Sequence, residues 1–207
     1  MYIRRHLENE VLKASKNYPV VMVCGQRQVG KSTMLNHIKE TDRKYVTLDD
    51  INARRLAETD VGLFFETYGT KLLIDEFQRI PTILLEMKRI VDEKALKGED
   101  NSGMFWLTGS QKFQMMKNVS ESLAGRVAVF DMSSLSNAEI EGRVARCFSP
   151  ELDNLKESAK SVNRKDIHEI YNDIFRGGMP KLITSDINRD RFYSDYVNTY
   201  LERDVKD

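Results

Sequence analysis

Apolar residues in the N-terminal part of the chain fall into short continuous runs rather than alternating with polar residues. Such runs, rich in β-branched and aromatic residues, are typical of strands that are buried on both faces of a sheet. They predict strands at Val20–Cys24, Tyr45–Leu48, Lys71–Glu76, Met104–Ser110 and Val127–Met132.

The segments between these runs carry apolar residues at helical spacing. One helix is expected to open at Pro81 and to continue through Lys97, because proline suits the first helical turn, where its missing N–H costs nothing. The other predicted helices are Ile3–Lys16, Ser32–Lys39, Asn52–Glu58 and a short one that contains Val61, Phe64 and Phe65.

Strands that alternate with helices at short intervals favour an α/β fold, with a parallel sheet and helices on both faces. Beyond Pro150 the strand-like runs end, and Lys165–Asp207 reads as helices interrupted by Gly177-Gly178-Met179-Pro180. We therefore predict a core over residues 1–150 and a helical extension over residues 151–207.

Composition narrows the classes of partner. Lys+Arg and Asp+Glu are equal at 32 each, so no net charge draws the chain to nucleic acid or to an anionic membrane. Cys24 and Cys147 stand alone, without metal-binding spacing, which favours a reducing compartment. No apolar run approaches the length of a membrane span, so we expect a soluble cytoplasmic protein without membrane contact.

The segment CGQRQVGKST (Cys24–Thr33) places Gly-x-x-x-x-Gly-Lys-Ser between a predicted buried strand and a predicted helix. That context favours a phosphate-binding loop over a chance glycine turn. Backbone N–H groups and the N-terminus of the following helix attract phosphate, Lys31 adds a full charge, and Ser32 offers a hydroxyl to Mg²⁺. The predicted nucleotide-binding residues are Gly25, Gln26, Arg27, Gln28, Val29, Gly30, Lys31, Ser32 and Thr33.

Two carboxylates, Asp75 and Glu76, end the third predicted strand. In an open α/β sheet, ligands bind beyond the carboxyl ends of the strands. We expect Asp75 to hold Mg²⁺ alongside Ser32, and Glu76 to take a proton from the attacking water or to orient it. Because hydrolysis requires the second carboxylate and simple binding does not, the pair predicts a nucleoside triphosphatase.

Hydroxyl groups follow the fourth predicted strand, at Thr108 and Ser110, with Gln111 next to them. If this strand lies between the loop strand and the acidic strand, these side chains would point at the γ-phosphate and position the water or sense the phosphate. A plain strand-ending turn is an equal alternative.

Arg126, in SLAGRVAVF, is the best arginine candidate for stabilising charge on the transferred phosphoryl group. It would act in its own chain or in a neighbouring one. Arg27, inside the loop, is a weaker alternative, and a surface role is the ordinary fate of an arginine.

The order of GQRQVGKST, KLLIDEFQ, FWLTGSQ, SLAGRV, FRGGMP and YVNTYLERDV resembles a prokaryotic family of AAA-type P-loop ATPases, over Arg4–Val205. The first two segments are the Walker A and Walker B motifs shared by P-loop ATPases, whereas SLAGR, GGMP and YLERD point to this family. Its members continue into a C-terminal nuclease-like domain of unknown function. We therefore expect either a fragment or a chain without that domain.

The resemblance implies ATP and Mg²⁺ as ligands and a P-loop fold with five parallel strands in the order 5-1-4-3-2. Ser110 would stand at the phosphate-sensing position, Arg126 would be a finger or sensor, and the helical extension would begin a lid or a link. The residues it assigns to catalysis are Lys31, Glu76, Ser110 and Arg126, and those it assigns to the metal are Ser32 and Asp75.

The leading functional hypothesis is an ATP hydrolase that switches or moves a protein or DNA partner. It would be a homo-oligomer if Arg126 acts in trans. A P-loop kinase is disfavoured because RGGMPK is too short for an arginine-rich lid. A GTPase is disfavoured because the segment from Asn163 to Asp166 has its lysine one place too late for the guanine-reading motif N-K-x-D.

The alternative from another class is an ATP-gated interaction or DNA-binding module with little turnover. Acidic residues interleave with its candidate basic residues, so a solvated mixed face is the better interpretation. The basic residues concerned are Arg176, Lys181, Arg189, Arg191 and Arg203.

Overall fold

The computed structural model describes residues 1–110, 119, 121–144, 149–160 and 164–204. The chain divides into two compact units, Arg5–Ser133 and Met1–Arg4 with Ser134–Asp207. The segment that follows the last strand thus groups with the helical extension. The functional division predicted near residue 150 stays a prediction.

A five-stranded parallel sheet forms the centre of the unit Arg5–Ser133, with the strand order β2-β3-β4-β1-β5. This confirms the expected order 5-1-4-3-2, and each strand lies within the range predicted for it or within one residue of it. The strands are β1 Val20–Cys24, β2 Lys44–Thr47, β3 Leu72–Asp75, β4 Phe105–Gly109 and β5 Val127–Asp131.

Because all strands run in one direction, the sheet has two chemically different ends. We call them the carboxyl edge, where the strands finish at Cys24, Thr47, Asp75, Gly109 and Asp131, and the amino edge, where they start. Any ligand site of the kind that the sequence predicts belongs at the carboxyl edge.

The helices of this unit start at clear local signals. The side chains of Asp50 and Asp60 accept hydrogen bonds from backbone N–H groups at the starts of α3 and α4, as helix caps do. Two starts differ from prediction by more than one residue, since α1 begins at Leu7 and α5 begins at Ile83, after a turn that contains Pro81. The helices are α1 Leu7–Ser15, α2 Lys31–Ile38, α3 Ile51–Thr59, α4 Val61–Tyr68 and α5 Ile83–Leu96, with a 3₁₀ turn at Phe77–Arg79.

Alternate residues of the central strands face two different layers of helices. Met22 and Phe105 belong to the core cluster that includes Phe64 and Met87 from α4 and α5. The next residue of β4, Trp106, faces α1 instead and donates its indole N–H to Ser15 at 2.9 Å. Side chains that follow the Trp106 alternation therefore share a face with α1 and α2.

The unit formed by Met1–Arg4 and Ser134–Asp207 is helical. Gly178 is required there, because a Cβ at this position would lie 2.2 Å from the carbonyl oxygen of Leu135, whose N–H donates to Gly178 at 2.8 Å. None of the described helices is long and apolar enough to cross a lipid bilayer. The helices of this unit are α6 Asn137–Ile140, α7 Leu152–Lys160, α8 Ile167–Arg176, α9 Pro180–Thr184 and α10 Arg189–Asp204.

Candidate nucleotide-binding and hydrolysis site

The loop between β1 and α2 has the backbone shape that an anion cradle needs. Gly25 has φ +141, and a Cβ there would lie 2.1 Å from the carbonyl oxygen of Met132. Gln28 and Gly30 are left-handed, with φ 62 and 95. Alternating backbone hands turn neighbouring N–H groups toward a common side, which is the basis of phosphate-binding loops.

The N-terminus of α2 is open to an anion. Within the described part of the chain, its N-cap Gly30 makes no side-chain cap, and the first turn contains no acidic residue. The first N–H groups of a helix lack intrahelical partners, and the helix dipole adds positive potential to them. A phosphate at this point would satisfy them.

Lys31 folds back over the loop. Only 6% of the residue is exposed, and its ammonium group donates to the carbonyl oxygens of Gly25 at 2.9 Å and Gln26 at 2.7 Å. Burial lowers the pKa of Lys31, while the nearby carboxylates of Glu76 and Asp75 raise it. The cation thus lies within electrostatic reach of both predicted acids.

Asp75 accepts hydrogen bonds from side chains of three different elements of the candidate site. Its Oδ1 accepts from the hydroxyls of Ser32 and Thr108, both at 2.7 Å, and its Oδ2 accepts from Tyr45 at 3.0 Å. The carboxylate is buried, so these three donors replace water around it. The structure brings Ser32 and Asp75 together as the sequence predicts.

The Ser32–Asp75 pair also fits a magnesium ion. Mg²⁺ takes oxygen ligands, uses few protein groups and keeps several waters. A hydroxyl and a carboxylate oxygen 2.7 Å apart provide that donor chemistry beside the loop.

Tyr45 was not identified from the sequence as a site residue. It lies in β2. Burial, the larger cause, and the charge of Asp75, the second, together raise the pKa of its phenol to about 12. The phenol therefore stays protonated near neutral pH and donates to Asp75. Only its place in a predicted strand beside the acidic strand could have drawn attention to it.

Glu76 lies just past β3 rather than within it. Its backbone is left-handed, at φ 55 and ψ 40, which is uncommon for a residue other than glycine. It caps the 3₁₀ turn Phe77–Arg79, and its Oε2 accepts from the amide nitrogen of Gln78. Gln78 lies within KLLIDEFQ, but the sequence pattern indicates no role for it.

The hydroxyls at the end of β4 divide into two environments. β4 lies between β1 and β3, as the phosphate-sensing hypothesis requires. Thr108 is committed to Asp75, whereas Ser110 Oγ is buried and has no hydrogen-bond partner among the described residues. Ser110 is therefore the hydroxyl that remains available to a ligand.

Arg126 lies at the amino edge of the sheet, which contradicts a catalytic role in its own chain. Its carbonyl accepts from Val20 N–H at 3.1 Å, and its Nε pairs with Asp92 of α5 at 2.6 Å. From Val20 to the loop, a five-residue strand spans about 17 Å. Arg126 directly precedes β5, so it lies at the opposite edge of the sheet from the phosphate loop. A role in trans stays a prediction.

Arg5 supports the loop from below, a contact that the sequence did not indicate. Its buried guanidinium donates to the carbonyl oxygens of Val29 at 2.8 Å and Ser133 at 2.7 Å. The Val29 carbonyl lies between the two left-handed residues of the loop, so Arg5 holds the point at which the backbone changes hand. In the same loop, Gln26 is exposed and Arg27 is half-buried, and Thr33 in the first turn of α2 is exposed.

Three members of the candidate basic patch, Arg176, Arg189 and Arg191, form ion pairs with nearby carboxylates. Arg176 pairs with Asp173 and Arg191 with Asp195, both at 2.9 Å. This agrees with a mixed solvated face.

Four features considered in the sequence lie outside the described part of the structure: Gln111, Cys147, Asn163 and the side chain of Arg203.

A family model for an AAA domain matches residues 17–141, more than half of the chain. The chain belongs to this AAA family. The match contains the loop, the acidic strand and β4, so the residues assembled at the carboxyl edge lie within the part that defines the family.

Two curated relatives match nearly the whole chain. The uncharacterized proteins Mb2031c of Mycobacterium bovis and Rv2008c of Mycobacterium tuberculosis are each 27% identical over 206 residues, covering 98% of this chain. The chain spans 40% of the length of each relative.

Solved structures align with most of this chain. The Walker-type ATPase paby2304 of Pyrococcus abyssi aligns with a TM-score of 0.53 at 15% identity, over 96% of this chain and 72% of that one. AMPPCP-bound DnaA from Aquifex aeolicus aligns with a TM-score of 0.48 at 16% identity, over 96% and 62%. The first of these supports the P-loop NTPase fold.

Proposed function

We propose that this AAA domain binds ATP with Mg²⁺ and hydrolyses it to switch or remodel a partner in the cytoplasm. One observation carries the proposal: Asp75 Oδ1 accepts from Ser32 in the phosphate loop at 2.7 Å and from Thr108 in β4 at the same distance. The loop hydroxyl and the strand carboxylate are thus in contact, as a shared metal site between a phosphate loop and an acidic strand requires.

In the proposed reaction, different residues have different roles. Amide groups of the loop and Lys31 bind the triphosphate, and Ser32 and Asp75 hold the metal, which when bound neutralises charge on the phosphates. Glu76 takes the proton of the attacking water as a general base. The unpartnered hydroxyl of Ser110 contacts the γ-phosphate.

Phosphate release and ATP affinity test this proposal together. The unmodified chain should release phosphate from Mg-ATP, and Glu76→Gln should lower turnover by about 10²–10⁴-fold, the contribution of a general base, while ATP stays bound. Lys31→Ala should weaken ATP binding itself, since it removes the cation of the loop.

The outcomes separate the candidate functions. Binding without release by the unmodified chain, with or without DNA, would replace hydrolysis with an ATP-gated module. Unchanged ATP affinity in Lys31→Ala would count against the loop as the binding site. Turnover that survives Glu76→Gln would remove the base from Glu76.

A further inference from the structure

Gln78 is held in place by its neighbours in the 3₁₀ turn. Phe77, which starts the turn, and Ile80, which follows it, are buried in the core. Arg79 donates from Nη2 and Nε to Asp49 Oδ1, at 2.6 and 3.0 Å. The backbone of Gln78 is therefore anchored on both sides.

The two ends of the Gln78 carboxamide have different surroundings. Its nitrogen donates to the carboxylate of Glu76. Its oxygen, Oε1, is buried and accepts no hydrogen bond from any residue that the structure describes. Leaving a buried acceptor unsatisfied is costly, so such an atom calls for a partner that arrives with a ligand or with water.

The 3₁₀ turn that contains Gln78 follows directly after Glu76, at the carboxyl edge of the sheet. The 3₁₀ turn contacts β4, the strand that leads to Ser110. Ser110 Oγ is the other buried side-chain atom without a partner among the described residues. Buried polar side-chain atoms are usually hydrogen-bonded, so an amide that served only as a structural brace is expected to be paired at both ends.

Given the ATPase activity proposed above, on which this inference depends, we propose that Gln78 is a positioning residue for hydrolysis. Its N–H donor orients the Glu76 carboxylate, and its Oε1 accepts a hydrogen bond from the water that Glu76 activates. The water proton moves to Glu76, the water oxygen forms the new bond to the γ-phosphorus, and the bond to ADP breaks. Gln78 neither gains nor loses a proton.

Two substitutions of similar size separate the functions of the amide. Gln78→Met keeps the length and removes both donor and acceptor, and it should lower kcat by about 10–100-fold, as expected for a hydrogen bond to a charged group. KM and the Kd for ATP should not change. Gln78→Glu keeps an acceptor but loses the donor and adds a like charge beside Glu76, so its kcat should fall at least as far.

A control addresses the charge added by the Glu variant. Asn52→Asp adds one negative charge at an exposed position of α3 and should leave kcat, KM and Kd unchanged. Thermal unfolding of each variant shows whether the fold is kept. If Gln78→Met does not fold, the same comparison of kcat with KM in Gln78→Glu decides the question.

The possible results distinguish this inference from the function beneath it. No phosphate release by the unmodified chain would overturn the proposed function and the inference with it. Release that Gln78→Met leaves unchanged would overturn the inference alone. So would a parallel loss of kcat and ATP affinity, which would mean that Gln78 only supports the shape of the site.

Discussion

The two edges of the sheet are both polar, yet they use their polar groups differently. At the amino edge, the buried guanidinium of Arg43 donates to the carbonyl oxygens of Met104 at 3.1 Å and Gly103 at 2.7 Å and lies 4.1 Å from the Trp106 ring centroid. Trp106 in turn donates to Ser15. These groups satisfy one another within the protein.

At the carboxyl edge, some buried polar atoms lack hydrogen-bond partners among the described residues. Gln78 Oε1 and Ser110 Oγ are buried without partners in the described part of the chain, and Gln28 and Glu76 have left-handed backbones. Such features cost stability and concentrate where a ligand binds. The difference between the edges predicts that substitutions at the amino edge affect mainly folding and that substitutions at the carboxyl edge affect mainly ligand binding or turnover, so each edge can be perturbed alone.

The largest expected effect is on stability, from the amino edge. Arg43→Met should lower the free energy of unfolding by about 3 kcal/mol, because it leaves the Gly103 carbonyl without its donor and removes one of the two donors to the Met104 carbonyl, which keeps its bond from Leu72 N–H. ATP affinity should stay the same, since Arg43 lies at the opposite end of the sheet from the loop. Chemical denaturation and ATP titration measure the two quantities.

A matched variant on the surface controls for the loss of an arginine. Arg89→Met removes a guanidinium that pairs with Glu86 and Glu93 on an exposed helix face, where such pairs contribute little. Equal destabilisation by both substitutions would contradict the importance assigned to the buried cluster.

A smaller effect with a different signature is expected at the carboxyl edge. Thr108→Val keeps the shape of the side chain but removes a hydroxyl that donates to Asp75, and it should lower the free energy of unfolding by about 1.5 kcal/mol. It should also raise the Mg²⁺ concentration needed for half-maximal turnover, because Asp75 loses an orienting donor. Thr67→Val, whose hydroxyl bonds its own helix on the surface, should change neither quantity. If the Mg²⁺ concentration needed for half-maximal turnover is unchanged in Thr108→Val, that result would count against Asp75 as a metal-binding residue.

The smallest effect on stability is expected for the Arg126–Asp92 pair. Arg126→Ala and Asp92→Ala should each lower the free energy of unfolding by less than about 1 kcal/mol, as is usual for a half-exposed ion pair. If Arg126 reaches a neighbouring copy, Arg126→Ala alone should lower turnover, and turnover per chain of the unmodified protein should rise with protein concentration. The same turnover in both variants would end the proposal of a role in trans.

The predictable part of the site is the part built from local patterns. The loop, Lys31 and Ser32 follow from residue types at fixed spacing after a strand, and Asp75 follows from the end of another strand. Because parallel strands finish at one edge, the meeting of Ser32 with Asp75 could be expected before any coordinates. Tyr45 and Arg5 could not, since a tyrosine in a strand and an arginine before a helix have no spacing that marks them as partners of Asp75 and of the loop.

The sequence by itself determined the strands, the phosphate loop, and which strands end in acidic or hydroxyl residues. These features follow from neighbouring residues, because buried apolar runs and glycine-rich turns are local patterns. The tertiary structure alone decided which hydroxyls surround Asp75 and which amide reaches Glu76. It also placed Arg126 at the far edge. Those outcomes depend on strand register and on which atoms are left without partners after packing, and both are set by contacts between residues far apart in the chain.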